Sequence, residues 1–202
     1  MIPDAATTMS RSILRPMTSR FVLYHMPGRA NRMDGLLAAV LRSHREIGEA
    51  FSLCDKVPFE VKVAAPAIDN FFVGRDGHQV DHVAGTLSEI EVATWLSNLT
   101  RGQTWTDVLA AAILAAPFDS IPRISLALMF AKVGRYEEAI DSYRRAWEHA
   151  VVDGNAPMLL SGMDTFLPST PVKTELIAEF KHSLTGQRPA DEALSKLLDI
   201  LH

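Results

Sequence analysis

The chain has 202 residues, 48% of them hydrophobic, a formal net charge of −4 and a single cysteine, Cys54. An acidic balance excludes a nucleic-acid binder that works by neutralising phosphates, and a lone cysteine excludes an intrachain disulfide or a cysteine-based metal site. The first residues, Met-Ile-Pro-Asp-Ala-Ala-Thr-Thr, contain no apolar core of a signal peptide, and no apolar run is long enough to span a bilayer. The expectation is a cytoplasmic protein without membrane contact.

Residues 1–19 are polar, with Ile13, Leu14 and Met17 as candidates for a short buried helix. From residue 20 the pattern becomes ordered. Phe21-Val22-Leu23-Tyr24 reads as a central strand stopped by Pro27-Gly28. Met33, Leu36, Leu37, Val40, Leu41 and Ile47 recur at three- and four-residue spacing and predict one amphipathic helix. A second strand at Phe51–Cys54 would bury its thiol as an inert group, and an irregular segment, Asp55 to Lys62, follows. Pro66 then introduces an apolar run, Ile68 to Val73, a turn at Arg75-Asp76-Gly77 and a strand with Val80 and Val83. Ser88 caps a helix that carries Glu89 and Glu91 near its positive end and Trp95-Leu96 further on. Strand, helix, strand, crossover, hairpin, helix amounts to a small mixed sheet flanked by helices over residues 20–101.

The series Val63, Pro66, Phe71-Phe72, Gly77, Val80, Gly85 and Trp95-Leu96 resembles the second half of a thioredoxin-like domain. The resemblance implies that Pro66 is a cis proline facing the loop after the first strand. That loop, Met-Pro-Gly-Arg-Ala-Asn-Arg, contains no cysteine, so the family's thiol exchange has no nucleophile. Ala67 also departs from the threonine usual in the family. What the resemblance leaves is a binding surface made of Gly28, Arg29, Arg32, Ala65 and Pro66. Arg29 and Arg32 read either as an anion site beside a helix N-terminus or as solvated loop arginines. Tyr24, followed by His25-Met26-Pro27-Gly28-Arg29, also looks like the start of a glutathione transferase, in which such a tyrosine activates the thiol of the tripeptide. That family's Glu-Ser pair is missing here, since Ser88-Glu89 come later and in reverse order.

Gly102 breaks the pattern, and residues 104–202 read as an all-helical domain with the junction at Arg101 to Thr104. Thr104 to Ala116 is apolar nearly all round, which predicts a helix buried between two layers. Leu126, Ala127, Phe130, Gly134, Tyr136, Ala139, Ile140, Tyr143 and Ala146 fall in the register of a tetratricopeptide repeat over 120–153. A lone repeat cannot bury its own faces, so further helices are expected at Ala156–Phe166, Val172–Leu184 and Ala190–Leu201. The last of these caps the array through Leu194, Leu197, Leu198 and Leu201, or docks on a partner. His78 and His82, four apart in a strand, would point the same way but lack third ligands for a metal.

An α/β thioredoxin-like domain without its cysteine pair, followed by an all-α tetratricopeptide-like domain, resembles co-chaperones of the YbbN type. That implies binding of a protein partner or an unfolded client, with Arg123, Phe130 and Lys132 on the first repeat helix among the contact positions. No catalytic residue, metal or cofactor is expected. Two alternatives stand beside this reading. One is a glutathione-transferase-like enzyme using Tyr24, and the other a dedicated adaptor in an assembly or secretion system.

Overall fold

The computed structural model describes residues 20–28, 33–56, 61, 63–185, 197 and 201. The helix expected around Ile13, Leu14 and Met17 lies outside these residues, as do Arg29 and Arg32. Four strands, β1 (Phe21–Met26), β2 (Phe51–Leu53), β3 (Asn70–Arg75) and β4 (His78–Ala84), form one mixed sheet in the order β2-β1-β3-β4. β1 runs parallel to β2, with Phe21 opposite Phe51, and antiparallel to β3, which pairs antiparallel with β4. A parallel pair requires a crossover, and α1 (Met33–Ser43) with α2 (Arg45–Ala50) supplies it.

The stripe that predicts a single helix is therefore divided. His44 has extended backbone angles, φ −114° and ψ 97°, and separates the two helices. The bend brings Gly48 against the Leu41 carbonyl, where a Cβ would lie 2.3 Å from the oxygen, so no larger residue fits. Met33, Leu37, Val40 and Ile47 still reach one core with Leu23, Phe71, Val73 and Val83. α3 (Glu89–Thr100) closes that core through Val92, Trp95, Leu96 and Leu99. It begins with a reciprocal cap, in which Ser88 Oγ accepts from the Glu91 amide and Glu91 accepts from the Ser88 amide. Donation to Glu91 Oε2 from the Ser88 amide, the larger contribution, and from the Ser88 hydroxyl holds the Glu91 carboxyl below its usual range.

The β3–β4 turn has Asp76 at φ 54° and Gly77 at φ 79°, the pair of left-handed residues that a two-residue hairpin needs. Val73 faces Asp81 while Gly74 faces Gln79, so Val80 is an extra, bulged residue. The bulge overturns the expectation that His78 and His82 share a face. His78 pairs with Arg75 and stays exposed, whereas His82 pairs with Phe72 and is buried on the other side.

The helical half contains α4 (Trp105–Ala115), α5 (Ser120–Lys132), α6 (Tyr136–Val152), α7 (Ala156–Phe166) and α8 (Pro171–Thr185). Gly134, at φ +81°, turns α5 into α6, and fully buried Ala127, Ala139, Ala146 and Ala150 let the helices approach closely. A Cβ on Gly162 would meet Leu128 Cδ2 at 1.9 Å, which sets how near α7 lies to α5. Trp147 stacks on Phe180 at 4.3 Å and donates to Ser183 Oγ, tying α6 to α8. Leu197 and Leu201 are buried in the same cluster, while Leu194 and Leu198 of the expected terminal helix lie outside the described residues. α4 corrects the prediction of a helix buried between layers. Leu109 is its one buried residue, and Leu114 is 81% exposed. Trp105 packs against both hydrophobic clusters and is the point where they meet.

Candidate functional site

Two buried carboxylates, Asp69 and Asp81, and the polar residues next to them, Asn70 and His82, organise both faces of the sheet around β3 and β4. Asp69 Oδ1 accepts from the Gly28 amide at 3.0 Å and lies 3.0 Å from His25 Nε2, while the Asp69 carbonyl accepts from the Gly85 amide. Gly28 sits so tightly on this segment that a Cβ would fall 2.5 Å from the Ile68 carbonyl carbon. Asn70 Nδ2 donates to the carbonyls of Ala65 and Ile68, and the Ile68 amide donates to Ala65, closing a turn that contains Pro66. With its amide nitrogen fixed as a donor, Asn70 presents Oδ1 to His82 Nε2 at 3.1 Å, so Nε2 carries the proton and Nδ1 is an acceptor. His82 stacks on Phe72 at 4.1 Å, and burial pushes its pKa down to about 4. The imidazole is therefore neutral at physiological pH.

Asp81 does for the junction what Asp69 does for the loops. One oxygen accepts from Trp95 Nε1 at 2.8 Å and from the Trp105 amide at 2.9 Å, and the other accepts from the His82 amide. The carboxylate thereby joins β4 to α3 and to the first turn of α4. Beside it a cleft of about 680 Å³ opens between the β4 edge and the α5–α6 turn. Val80, Asp81 and His82 line one side; Thr106, Arg135 and Tyr136 line the other. At its floor Gly134 approaches Ala64 so closely that a Cβ would lie 2.8 Å from the alanine methyl. Arg135 lies 4.4 Å over the Phe130 ring and pairs with Glu138, whose carboxyl is held low chiefly by that hydrogen bond. No cysteine lines the cleft. Cys54 is half-buried rather than buried, follows β2 at the opposite sheet edge, and donates to the Lys56 carbonyl at 2.7 Å.

The predicted site residues separate into several places. Gly28 and Ala65 meet through the Asp69–Asn70 network, as a loop facing the segment before β3 requires. Pro66 departs from its expectation. No peptide bond among the described residues is cis, so Pro66 is trans, and it is exposed at the turn while Ile68 and Asp69 take the place against Gly28. Tyr24 pairs with Phe72, ring centroids 6.2 Å apart, in the cross-strand row that ends at His82. Phe130 is a buried packing residue under Arg135. Lys132 Nζ lies 5.1 Å over the Phe166 ring, and burial lowers its pKa. Arg123 and Lys132 are nine residues apart on α5, two and a half turns at 3.6 residues each, which places them on opposite sides of the helix.

Asp69, Asn70 and Asp81 escaped the sequence reading, and His82 entered it only as a metal candidate with His78. Their signal is visible in retrospect, since Asp69-Asn70 stand inside the apolar run Ile68 to Val73 and Asp81-His82 stand between Val80 and Val83. Among the described residues no group of three or more His, Cys, Asp or Glu could hold a metal ion, and no helix is long and apolar enough to cross a membrane. No protein-family model, no curated protein and no solved structure matches the chain.

Proposed function

We propose that this chain is a redox-inactive, thioredoxin-like and tetratricopeptide protein, a co-chaperone or adaptor that holds a segment of another polypeptide in the cleft beside β4. The observation that carries the reading is the cleft itself, about 680 Å³ along an edge strand and without a thiol in its lining. A volume of that size takes several side chains of a bound segment. The strand–helix–strand–crossover–hairpin–helix order supports the thioredoxin-like part of the reading, and the α5–α6 hairpin with its buried alanines supports the tetratricopeptide part. Three polar groups of the cleft are engaged by residues behind it: Asp81 by two tryptophans, His82 by Asn70, Arg135 by Glu138. Such a lining offers shape, and among the described residues it presents no nucleophile paired with a base.

Binding of a fluorescent, reduced and carboxymethylated model polypeptide tests this directly. Wild type is expected to bind saturably. Val80→Arg and Thr106→Trp, which fill the cleft from opposite walls, should weaken binding about tenfold, some 1.4 kcal/mol, without changing the circular dichroism. Val80 is the bulged residue of an edge strand, so its replacement leaves the ladder intact. Saturable stabilisation by glutathione, with conjugating activity lost in Tyr24→Phe, would instead establish the transferase reading.

A further inference from the structure

α4 is the one helix whose sequence asks for burial that the fold does not give. Its Trp-Thr-Asp-Val-Leu-Ala-Ala-Ala-Ile-Leu-Ala is apolar on every side after the first turn, yet only Leu109 is buried. Beyond its end, Phe118 is 82% exposed, close in sequence to Leu114 at 81%, and Ile121 at the start of α5 is also exposed. Behind this rim lies a groove of about 320 Å³, with Ala110, Ile113 and Leu114 as one wall, Arg123 and Leu126 as floor and Arg145 on the α6 wall.

The floor carries an unmet charge-bearing donor. Arg123 Nη2 donates to the Pro117 carbonyl at 2.7 Å, which holds the guanidinium beside the Phe118 corner, while its Nε is buried with no acceptor among the described residues. A buried donor without an acceptor is unfavourable by about 1–3 kcal/mol. Arg145 across the groove pairs with Asp141 on its own helix, at 2.7 Å and with both side chains exposed, an arrangement that an incoming carboxylate can displace. An apolar groove with arginines at its floor and wall, rimmed by an unburied leucine and phenylalanine, is complementary to apolar side chains flanked by acids.

We infer that this groove binds an acidic amphipathic helix of a partner protein, apolar residues entering between α4 and α6 and carboxylates pairing with Arg123 and Arg145. The surface is separate from the β4 cleft, and either can stand without the other. The chain's own termini are poor occupants. Residues 1–19 carry Arg11 and Arg15 against a single acid, Asp4, and the C-terminal stretch already buries Leu197 and Leu201 in the helical core. A second copy would bring one arginine-bearing groove against another.

The test is selection of a displayed random library of helical peptides, about 16 residues or roughly four turns long, on the full chain. Leu114→Ser/Phe118→Ser serves as the counter-selection. Both positions are more than 80% exposed, so the variant keeps its fold, and an unchanged melting temperature verifies this. Selected peptides should be net acidic with apolar residues at helical spacing, and should bind about tenfold more weakly to the double variant and to Arg123→Gln. Their affinity should fall with salt. Enriched peptides that are basic or uncharged, or a library in which none distinguishes wild type from the double variant, would overturn the inference. So would concentration-dependent dimerisation in sedimentation that the double variant abolishes, because the occupant would then be a second copy.

Discussion

The two halves of the molecule hold themselves together by different means. In the sheet half, Asp69, Asn70, Asp81 and His82 are all buried, and each is met by partners that belong to distant parts of the chain. In the helical half the core is mostly alanine, leucine and aromatic rings packed by shape; its polar ties, Ser120 with Asp153 and Asn155, Lys173 with Asp164 and Trp147 with Ser183, lie apart from one another, and the hydroxyl of Tyr143 is buried without a partner among the described residues. Shape packing tolerates substitution of like volume, whereas a hydrogen-bonded network fixes one arrangement and is lost as a unit. The contrast places positional precision where the cleft is built and leaves the helical array as its rigid back wall.

Removing Asp81 is the strongest way to break that contrast. Asp81→Ala strands Trp95 Nε1, the Trp105 amide and the His82 amide at once. The expected loss is about 3–5 kcal/mol in urea unfolding, and Asp81→Asn should fall between the variant and wild type. His82 gives the next largest effect, through pH. Its folded pKa is near 4 against an ordinary 6.5, so the unfolded chain takes up the proton first as pH falls. The neutral imidazole's contribution is complete above pH 6.5 and disappears progressively down to about pH 4, amounting to roughly 3 kcal/mol. His82→Gln retains a donor for Asn70 and cannot titrate. The wild-type curve of stability against pH, less that of the variant, should fall across this window. A flat difference would mean that His82 is solvated in solution.

The sequence was most readable where local periodicity and packing agree. Gly134 and the alanines of α5 and α6 behave as read, because a helix hairpin is a short-range object. The hairpin turn at Asp76-Gly77 is legible for the same reason. The break at His44 is set by a contact between Gly48 and the Leu41 carbonyl that exists only after folding. The bulge at Val80, invisible to a period-two reading, reverses every side chain beyond it and thereby sends His82 inward. Asp81 illustrates the same limit: its partners are 14 and 24 residues away, and no local pattern announces them. α4 is the opposite case, in which composition promised burial and the topology placed the helix at the surface.

Tyr143 supplies the smallest effect and the sharpest sign. Its ring fills the space between α5 and α6 and is fully buried, and burial raises the phenol's pKa, so the hydroxyl stays protonated. An O–H buried without an acceptor opposes folding, because it gives up its hydrogen bonds to water and gains none. Tyr143→Phe keeps the ring and removes that penalty. Calorimetry should show stabilisation of about 1 kcal/mol, a rise in melting temperature of roughly 2–4 °C for a chain of this size. The corresponding loss of a polar group in the sheet half, Asp81→Ala, moves stability the other way. If Tyr143→Phe also destabilises, the packing between α5 and α6 depends on a polar contact at Tyr143, and the division between a network-held sheet and a largely shape-held array fails.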